Sequence, residues 1–200
     1  MALAQYQKMR RLSLAVLLLA AFVLLLFVGA SGNEEIHDMV EAIGLGFIVI
    51  GIVGRMWCTL YIGGRKSAEI VTTGPYSVTR NPLYVFSSIA AAGVGAQTGS
   101  VTIAILFLIG CAVAFQVVIA REESFLKGEF GPSYGRYLAT VPRFLPKPSL
   151  FRDEEELQVR TKLIYRTLTD GLVFFVAMPV FELIELAQQS GWLPVLLRLP

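Results

Sequence analysis

Residues 72–84 read TTGPYSVTRNPLY, and residues 121–146 read REESFLKGEFGPSYGRYLATVPRFLP. These two stretches hold the residue types that can do chemistry. Arg80 and Arg143 offer guanidinium forks, Glu122 and Glu123 carboxylates, and Tyr76, Tyr84, Tyr134 and Tyr137 aromatic faces with a hydroxyl. Each stretch abuts a strongly apolar run, where charged groups are expensive and are usually paired or functional. An arginine fork grips a carboxylate bidentately, an aromatic face attracts a cation, and a carboxylate can take a proton from an amine. The one histidine, His37, stands in a separate acidic segment and reads as solvated, which argues against histidine-based catalysis. Cys58 and Cys111 lie inside apolar runs with no CxxC spacing and read as small buried hydrophobes, so no metal or redox site is expected.

The elements that must position these residues are membrane helices. Of the 200 residues, 55% are hydrophobic and only 16% charged, against roughly 25% charged in a soluble domain, which points to an integral membrane protein. The formal net charge of +2 is too small to suggest nucleic acid. No low-complexity linker or internal repeat divides the chain, so residues 1–200 read as one domain, with the core motifs at 72–146.

Apolar runs at residues 12–28, 39–62, 83–97, 101–120 and 168–187 predict an all-α polytopic bundle of about five transmembrane helices. Lys8, Arg10 and Arg11 precede the first run, and Glu34, Glu35 and Asp38 follow it. Arg65, Lys66, Arg80 and the basic residues from Arg121 to Arg166 return to the first side, which the positive-inside rule makes cytoplasmic. A cleavable leader is the alternative for the first run, although its apolar core exceeds the usual 7–15 residues. A bacterial inner membrane, with the polar stretches facing the cytoplasm, is the expected location.

The third run differs from the others. Pro82 suits the first turn of a helix, and from there to Gln97 a helix spans only about 24 Å, short of the ~30 Å hydrocarbon core. A tight hairpin with the fourth run is predicted, its cytoplasmic mouth sunk below the headgroups. Residues 121–146 read as an interfacial helix to Phe130, a break at Gly131-Pro132, a short helix through Leu138 and an extended VPRFLP. Asp153 and Glu156 resemble a capping box, which predicts a charged connector helix leading into the last membrane run, the two together covering 150–190. Arg55, inside the second run, is expected to snorkel. Gly44, Gly46, Gly51 and Gly54 are expected to permit close helix packing. Glu182 and Glu185 share a face near the outer end of the last run, with interhelical hydrogen bonding or interfacial exposure as the default reading.

The two polar stretches also carry a family resemblance. GPYSVTRNPLY is similar to the GPY/F-x-x-x-R-[H/N]-P-x-Y element, and REESFLKGEFGPSYGRYLATVPRFLP resembles the EE-x-x-L-x-x-x-F-G-x-x-Y-x-x-Y-x-x-x-V-P-R-F-x-P element, of the isoprenylcysteine carboxyl methyltransferase and phospholipid methyltransferase superfamily. The resemblance implies a membrane enzyme that binds S-adenosylmethionine from the cytosol while a lipophilic or prenylated acceptor, or a membrane lipid, enters from the bilayer. By motif position it assigns cofactor binding to Gly74, Pro75, Tyr76, Arg80, Asn81, Pro82, Tyr84 and Tyr134. It assigns catalysis to Glu122, Glu123, Tyr137 and Arg143, and Phe130 also matches. Asn81 stands where the isoprenylcysteine enzymes have histidine and is more like phospholipid-type members.

Methyl transfer needs acceptor, methyl and sulfur held in line away from water, with no nucleophile on the protein. A prenylcysteine carboxylate is already ionised and wants a cationic anchor such as Arg143, whereas a protonated amine would need Glu122 or Glu123 as base. Adjacent helical residues point about 100° apart, so one glutamate of the pair is expected to face the pocket. A membrane assembly or permeation component that keeps the fold without the activity is the reading from another class.

Overall fold

The structure is a computed structural model and describes residues 16, 19–65 and 68–200. Lys8, Arg10, Arg11, Lys66 and the start of the first apolar run lie outside the described residues; residues 19–25 of that run are helical. There follow a short strand β1 (Val28–Ala30), helix α1 (Glu34–Ile62), a single turn α2 (Pro75–Val78), α3 (Pro82–Ala96) and the long α4 (Val101–Thr140). Helix α5 (Thr161–Leu172) continues through a 3-10 turn into α6 (Ala177–Gln189), and the chain closes with β2 (Leu197–Leu199). The only sheet among the described residues is the parallel pairing of β1 with β2, so the molecule is the expected all-α membrane protein. Three helical stretches have the length and apolarity to cross a bilayer, namely α1, α4 and the continuous Thr161–Gln189, while α3 is a shorter apolar helix.

Local chemistry sets these boundaries. Asn33 accepts a hydrogen bond from the Ile36 N–H (3.0 Å), and Glu34 and Glu35 face the positive end of the α1 dipole. Pro82 occupies the first turn of α3, as its missing N–H favours. Gly99, at φ +70°, turns the chain from α3 into α4, where Ser100 caps the Ile103 N–H. The 15 residues of α3 reach about 22 Å, so the predicted short hairpin is present. Gly131 leaves the helical region (φ 52°, ψ −128°) just before Pro132, so α4 breaks where the sequence signals it. Only 11% of its most apolar 18 residues are buried within the fold, which leaves that surface for lipid.

The bundle is held together by α1 against α3. A Cβ on Gly51 would lie 2.5 Å from Ala90 Cβ, on Gly44 2.6 Å from Ala96 Cβ, and on Gly54 2.1 Å from the Phe86 ring. These three glycines do allow the backbones to approach, as small residues do in membrane bundles. Gly46 does not, since nothing lies within 4 Å of its Cβ position. Arg55 departs from the snorkelling expectation too. Its Nη1 donates to Ser87 Oγ on α3 at 2.5 Å and its guanidinium lies 5.9 Å from the Phe174 ring centroid. A hydroxyl and an aromatic face within the bundle compete successfully with the headgroups for this charge.

The connector expected to start as a helix at Asp153 is instead extended through residue 160, and α5 begins at Thr161. The expected cap residue, Asp153, and the carboxylate beside it are used elsewhere. Asp153 accepts from the Tyr61 hydroxyl, and Glu154 accepts from Thr73 Oγ1 at 2.8 Å and lies 3.6 Å from Arg65. Tertiary partners have displaced the local capping pattern.

The packing makes a paired prediction. Gly51→Val forces α1 from α3 and should destabilise the protein by about 1–3 kcal/mol, read as a lower thermal midpoint in detergent, whereas Gly46→Val should leave the midpoint unchanged.

Candidate functional site

The segment that ends α4 runs back beside the segment that starts α3. The Arg80 N–H donates to Pro142 O at 2.9 Å and the Lys147 N–H to Val78 O at 2.9 Å. Thr79 Oγ1 donates to Phe144 O at 3.1 Å, and the Asn81 amide to Arg143 O at 3.0 Å. The VPRFLP run thus stays extended because its carbonyls are consumed by residues 79–81. On the far side, the Gly74 N–H donates to Arg152 O at 2.7 Å. The two polar stretches, distant in sequence, form one structure at one end of the bundle.

At their junction Glu123 bridges both arginines. Arg80 Nη1 lies 3.2 Å from Glu123 Oε1, and Arg143 grips the same carboxylate through two nitrogens, its Nε at 3.2 Å from Oε1. The bond to Glu123 raises the pKa of the Arg143 guanidinium and keeps it charged. The Tyr84 hydroxyl donates to Glu122 Oε2 at 3.0 Å, and the Tyr84 ring stacks obliquely on Phe115 at 4.6 Å. The Tyr137 hydroxyl donates to Tyr76 O at 2.7 Å, and the Tyr134 and Tyr137 rings meet at 5.9 Å.

These side chains surround a cleft open to its surroundings. Eight of the sequence-predicted residues line it: Tyr76, Arg80, Asn81, Tyr84, Glu122, Glu123, Tyr134 and Tyr137. Both glutamates reach it, where helix geometry alone suggests one, because each is turned inward by its own partner. Gly74, Pro75, Pro82 and Arg143 do not line it. Gly74, at φ +56°, sits against the Tyr61 ring, where a Cβ would fall 2.3 Å away. Pro75 and Pro82 open α2 and α3, and Arg143 holds Glu123 from the outer edge.

Two polar atoms at this cleft are buried without a hydrogen-bond partner, the Tyr76 hydroxyl and Arg80 Nε. Orphaned buried donors are costly, and a ligand that accepts from them satisfies both. Burial pushes the Tyr76 phenol well above its usual pKa, so it remains a neutral donor. The arrangement therefore presents two donors, a carboxylate pair and aromatic faces, a set that fits a ligand with a carboxylate and a cation. Sequence reasoning missed Glu69, Ile70 and Val71, which form one wall of the cleft. Their signal was an apolar pair directly preceding the TTGPY turn, outside either motif.

The fold and the cleft are those of a membrane protein with a small-molecule site at one end of its helical bundle. The profile of the phospholipid methyltransferase family matches residues 40–133, and the chain belongs to the superfamily of isoprenylcysteine and phospholipid methyltransferases. It is 40% identical over 158 residues, 79% of this chain and 74% of the relative, to the nickel-cobalt-cadmium resistance protein NccN of Alcaligenes xylosoxydans xylosoxydans. It is 33% identical over 164 residues, 82% of this chain and 76% of the relative, to the cobalt-zinc-cadmium resistance protein CzcN of Cupriavidus metallidurans. The protein-S-isoprenylcysteine O-methyltransferase of Schizosaccharomyces pombe is 29% identical over 121 residues, 56% of this chain and 51% of that protein. No solved structure matches the chain significantly.

Tyr137→Phe removes the bond to the Tyr76 carbonyl and should cost about 1 kcal/mol, measured as a lower unfolding midpoint of the purified protein.

Proposed function

We propose that the protein transfers a methyl group from S-adenosylmethionine to a lipophilic acceptor that enters from the bilayer, at the cytoplasmic face of a bacterial inner membrane. The observation that supports this most is the convergence of the two motif segments on one cleft, with the buried Tyr76 hydroxyl and Arg80 Nε lacking partners there. In this reading Arg80 and Tyr76 hold the cofactor's carboxylate, while Glu122 and the faces of Tyr84 and Tyr134 hold its cationic groups. When bound, S-adenosylmethionine supplies an activated methyl on a good leaving group. The chain's own residues orient the acceptor and exclude water.

The acceptor class we favour is the carboxylate of an isoprenylcysteine-like molecule, for which Arg143 at the edge of the cleft serves as the cationic anchor. A second reading, an amine of a phospholipid, draws support from the family's description and from Glu122 lining the cleft, where it can take the proton. The relatives named for nickel, cobalt, zinc and cadmium resistance suggest that the reaction serves cells under transition-metal stress. Retention of the scaffold without catalysis is the reading that cofactor binding tests.

Calorimetry on the purified protein should detect S-adenosylhomocysteine binding, and Arg80→Ala and Glu122→Ala should each weaken it at least tenfold, about 1.4 kcal/mol. Absence of any signal at millimolar ligand rejects the enzyme reading, and unchanged affinity in both variants would move the pocket elsewhere. Lipid mass spectrometry of cells with and without the gene should show base-labile methyl esters. Methylated phosphatidylethanolamine species in their place would favour the amine reading.

A further inference from the structure

At the end of the bundle opposite the cleft, the structure overturns the reading of His37 as solvated. Its side chain is only 19% exposed and stands between two carboxylates, Glu41 on the next turn of α1 and Glu185 from α6. We propose that His37, Glu41 and Glu185 form a binding site for one divalent transition-metal ion of the zinc type.

The geometry comes first. His37 Nε2 lies 3.2 Å from Glu41 Oε1 and 3.3 Å from Glu185 Oε2, and the three ligand atoms all fall within 4.8 Å of one another. Ligand bonds of ~2.0–2.2 Å at tetrahedral angles separate neighbouring ligand atoms by roughly 3.3–3.6 Å, so a single ion can sit between them with little rearrangement.

The ligands are also oriented from behind. Gly99, in the turn between α3 and α4, packs against the other edge of the imidazole, where a Cβ would come within 2.1 Å of Nδ1. This contact aims Nε2 at the carboxylates. Gln189 Nε2 donates to Glu185 Oε1 at 3.2 Å, leaving Oε2 for the histidine side. Outer partners of this kind fix ligand orientation at metal sites.

Charge and access agree with a cation. Glu34, Asp38 and Glu182 line the same cavity, and among the described residues Arg198 is its one lining cation, with its Nη1 3.4 Å from Ala30 O. A neutral imidazole and two carboxylates sum to −2, which a dication balances. Glu41 and Glu185, at 35% and 40% side-chain exposure, leave an entry path and room for a fourth ligand from water. Imidazole with carboxylate oxygens and no thiolate suits zinc, cobalt or nickel better than copper(I), and better than the all-oxygen preference of calcium or magnesium. The competing state is a protonated histidine that bridges two carboxylates as an ion triad. It uses the same residues and takes up no metal.

The test uses the full-length protein in detergent, stripped with chelator, with Co²⁺ as a visible spectroscopic probe and Zn²⁺ as competitor. We expect one equivalent of Co²⁺ with the ligand-field bands of a four-coordinate site, displaced by Zn²⁺. His37→Ala and Glu185→Gln should each weaken binding at least tenfold, while Asp170→Asn on the exposed face of α5 should not. Glu185→Gln keeps the shape of the side chain and decides the matter if His37→Ala fails to fold. Absence of stoichiometric Co²⁺ binding, or affinity unchanged in both ligand variants, overturns the proposal in favour of the ion triad. S-adenosylhomocysteine binding, followed in the same samples, should be unaffected by these variants, so failure here is distinguishable from failure of the methyltransferase reading.

Discussion

One carboxylate organises the cleft end of the molecule. Glu123 sits on α4, Arg80 on the turn before α3 and Arg143 on the extended segment beyond the α4 break, and the three meet in a chain of contacts at 12%, 14% and 43% side-chain exposure. Burying Arg80 against an anion it shares with the more exposed Arg143 is tolerable because the pairing is bidentate on the Arg143 side and backed by hydrogen bonds to main-chain carbonyls on the other. Those bonds, from Arg80 N–H and the Asn81 amide to the 142–143 carbonyls, fix the register of the two strands of chain. Without the shared carboxylate, like charges would face each other across the cleft floor. The walls then follow: Tyr137 anchors α2 through its carbonyl, and Tyr84 holds the neighbouring Glu122.

Much of this was legible in the sequence. The all-α membrane architecture follows from apolar run lengths. The shortness of α3 follows from where Pro82 and the 97–100 turn fall, and the break in α4 from Gly131 preceding Pro132. Arg80, Glu122, Glu123 and the four tyrosines could be picked because polar groups crowded beside hydrocarbon demand a reason. What escaped was set by partners far along the chain. Asp153 with Glu156 looks like a helix start until Tyr61 is brought to Asp153, and Thr73 and Arg65 to the neighbouring Glu154. Arg55 looks like a snorkelling residue until Ser87 and Phe174 are supplied by other helices. Glu69, Ile70 and Val71 lie outside either motif, and their apolar pair comes to line the cleft only through the fold. His37 and Glu41 did show a spacing of four on one helix face, but the third member of their cluster comes from α6, and no periodicity could announce it.

Helix α1 links the two ends. Its 29 residues extend about 44 Å, from the His37–Glu41 turn at one extremity to Tyr61 and Ile62, beside the cleft, at the other. The glycines that seat α1 on α3 make this a stiff coupling, since neither backbone can separate from the other without opening the core. The proposed metal ligands and the proposed cofactor pocket therefore share one rigid strut, while depending on different side chains.

The shortness of α3 is accommodated by protein. From Pro82 to Ala96 every residue is buried or half-buried, so α1 and α4, which outrun it, carry the exposed apolar surface. Its ends are met by side-chain amides: Asn81 Nδ2 donates to Arg143 O at one end, and Gln97 Nε2 to Glu41 O at 3.1 Å at the other. A helix of this length facing lipid would impose hydrophobic mismatch; sheltered between longer neighbours, it can end early and leave a recess at the cleft.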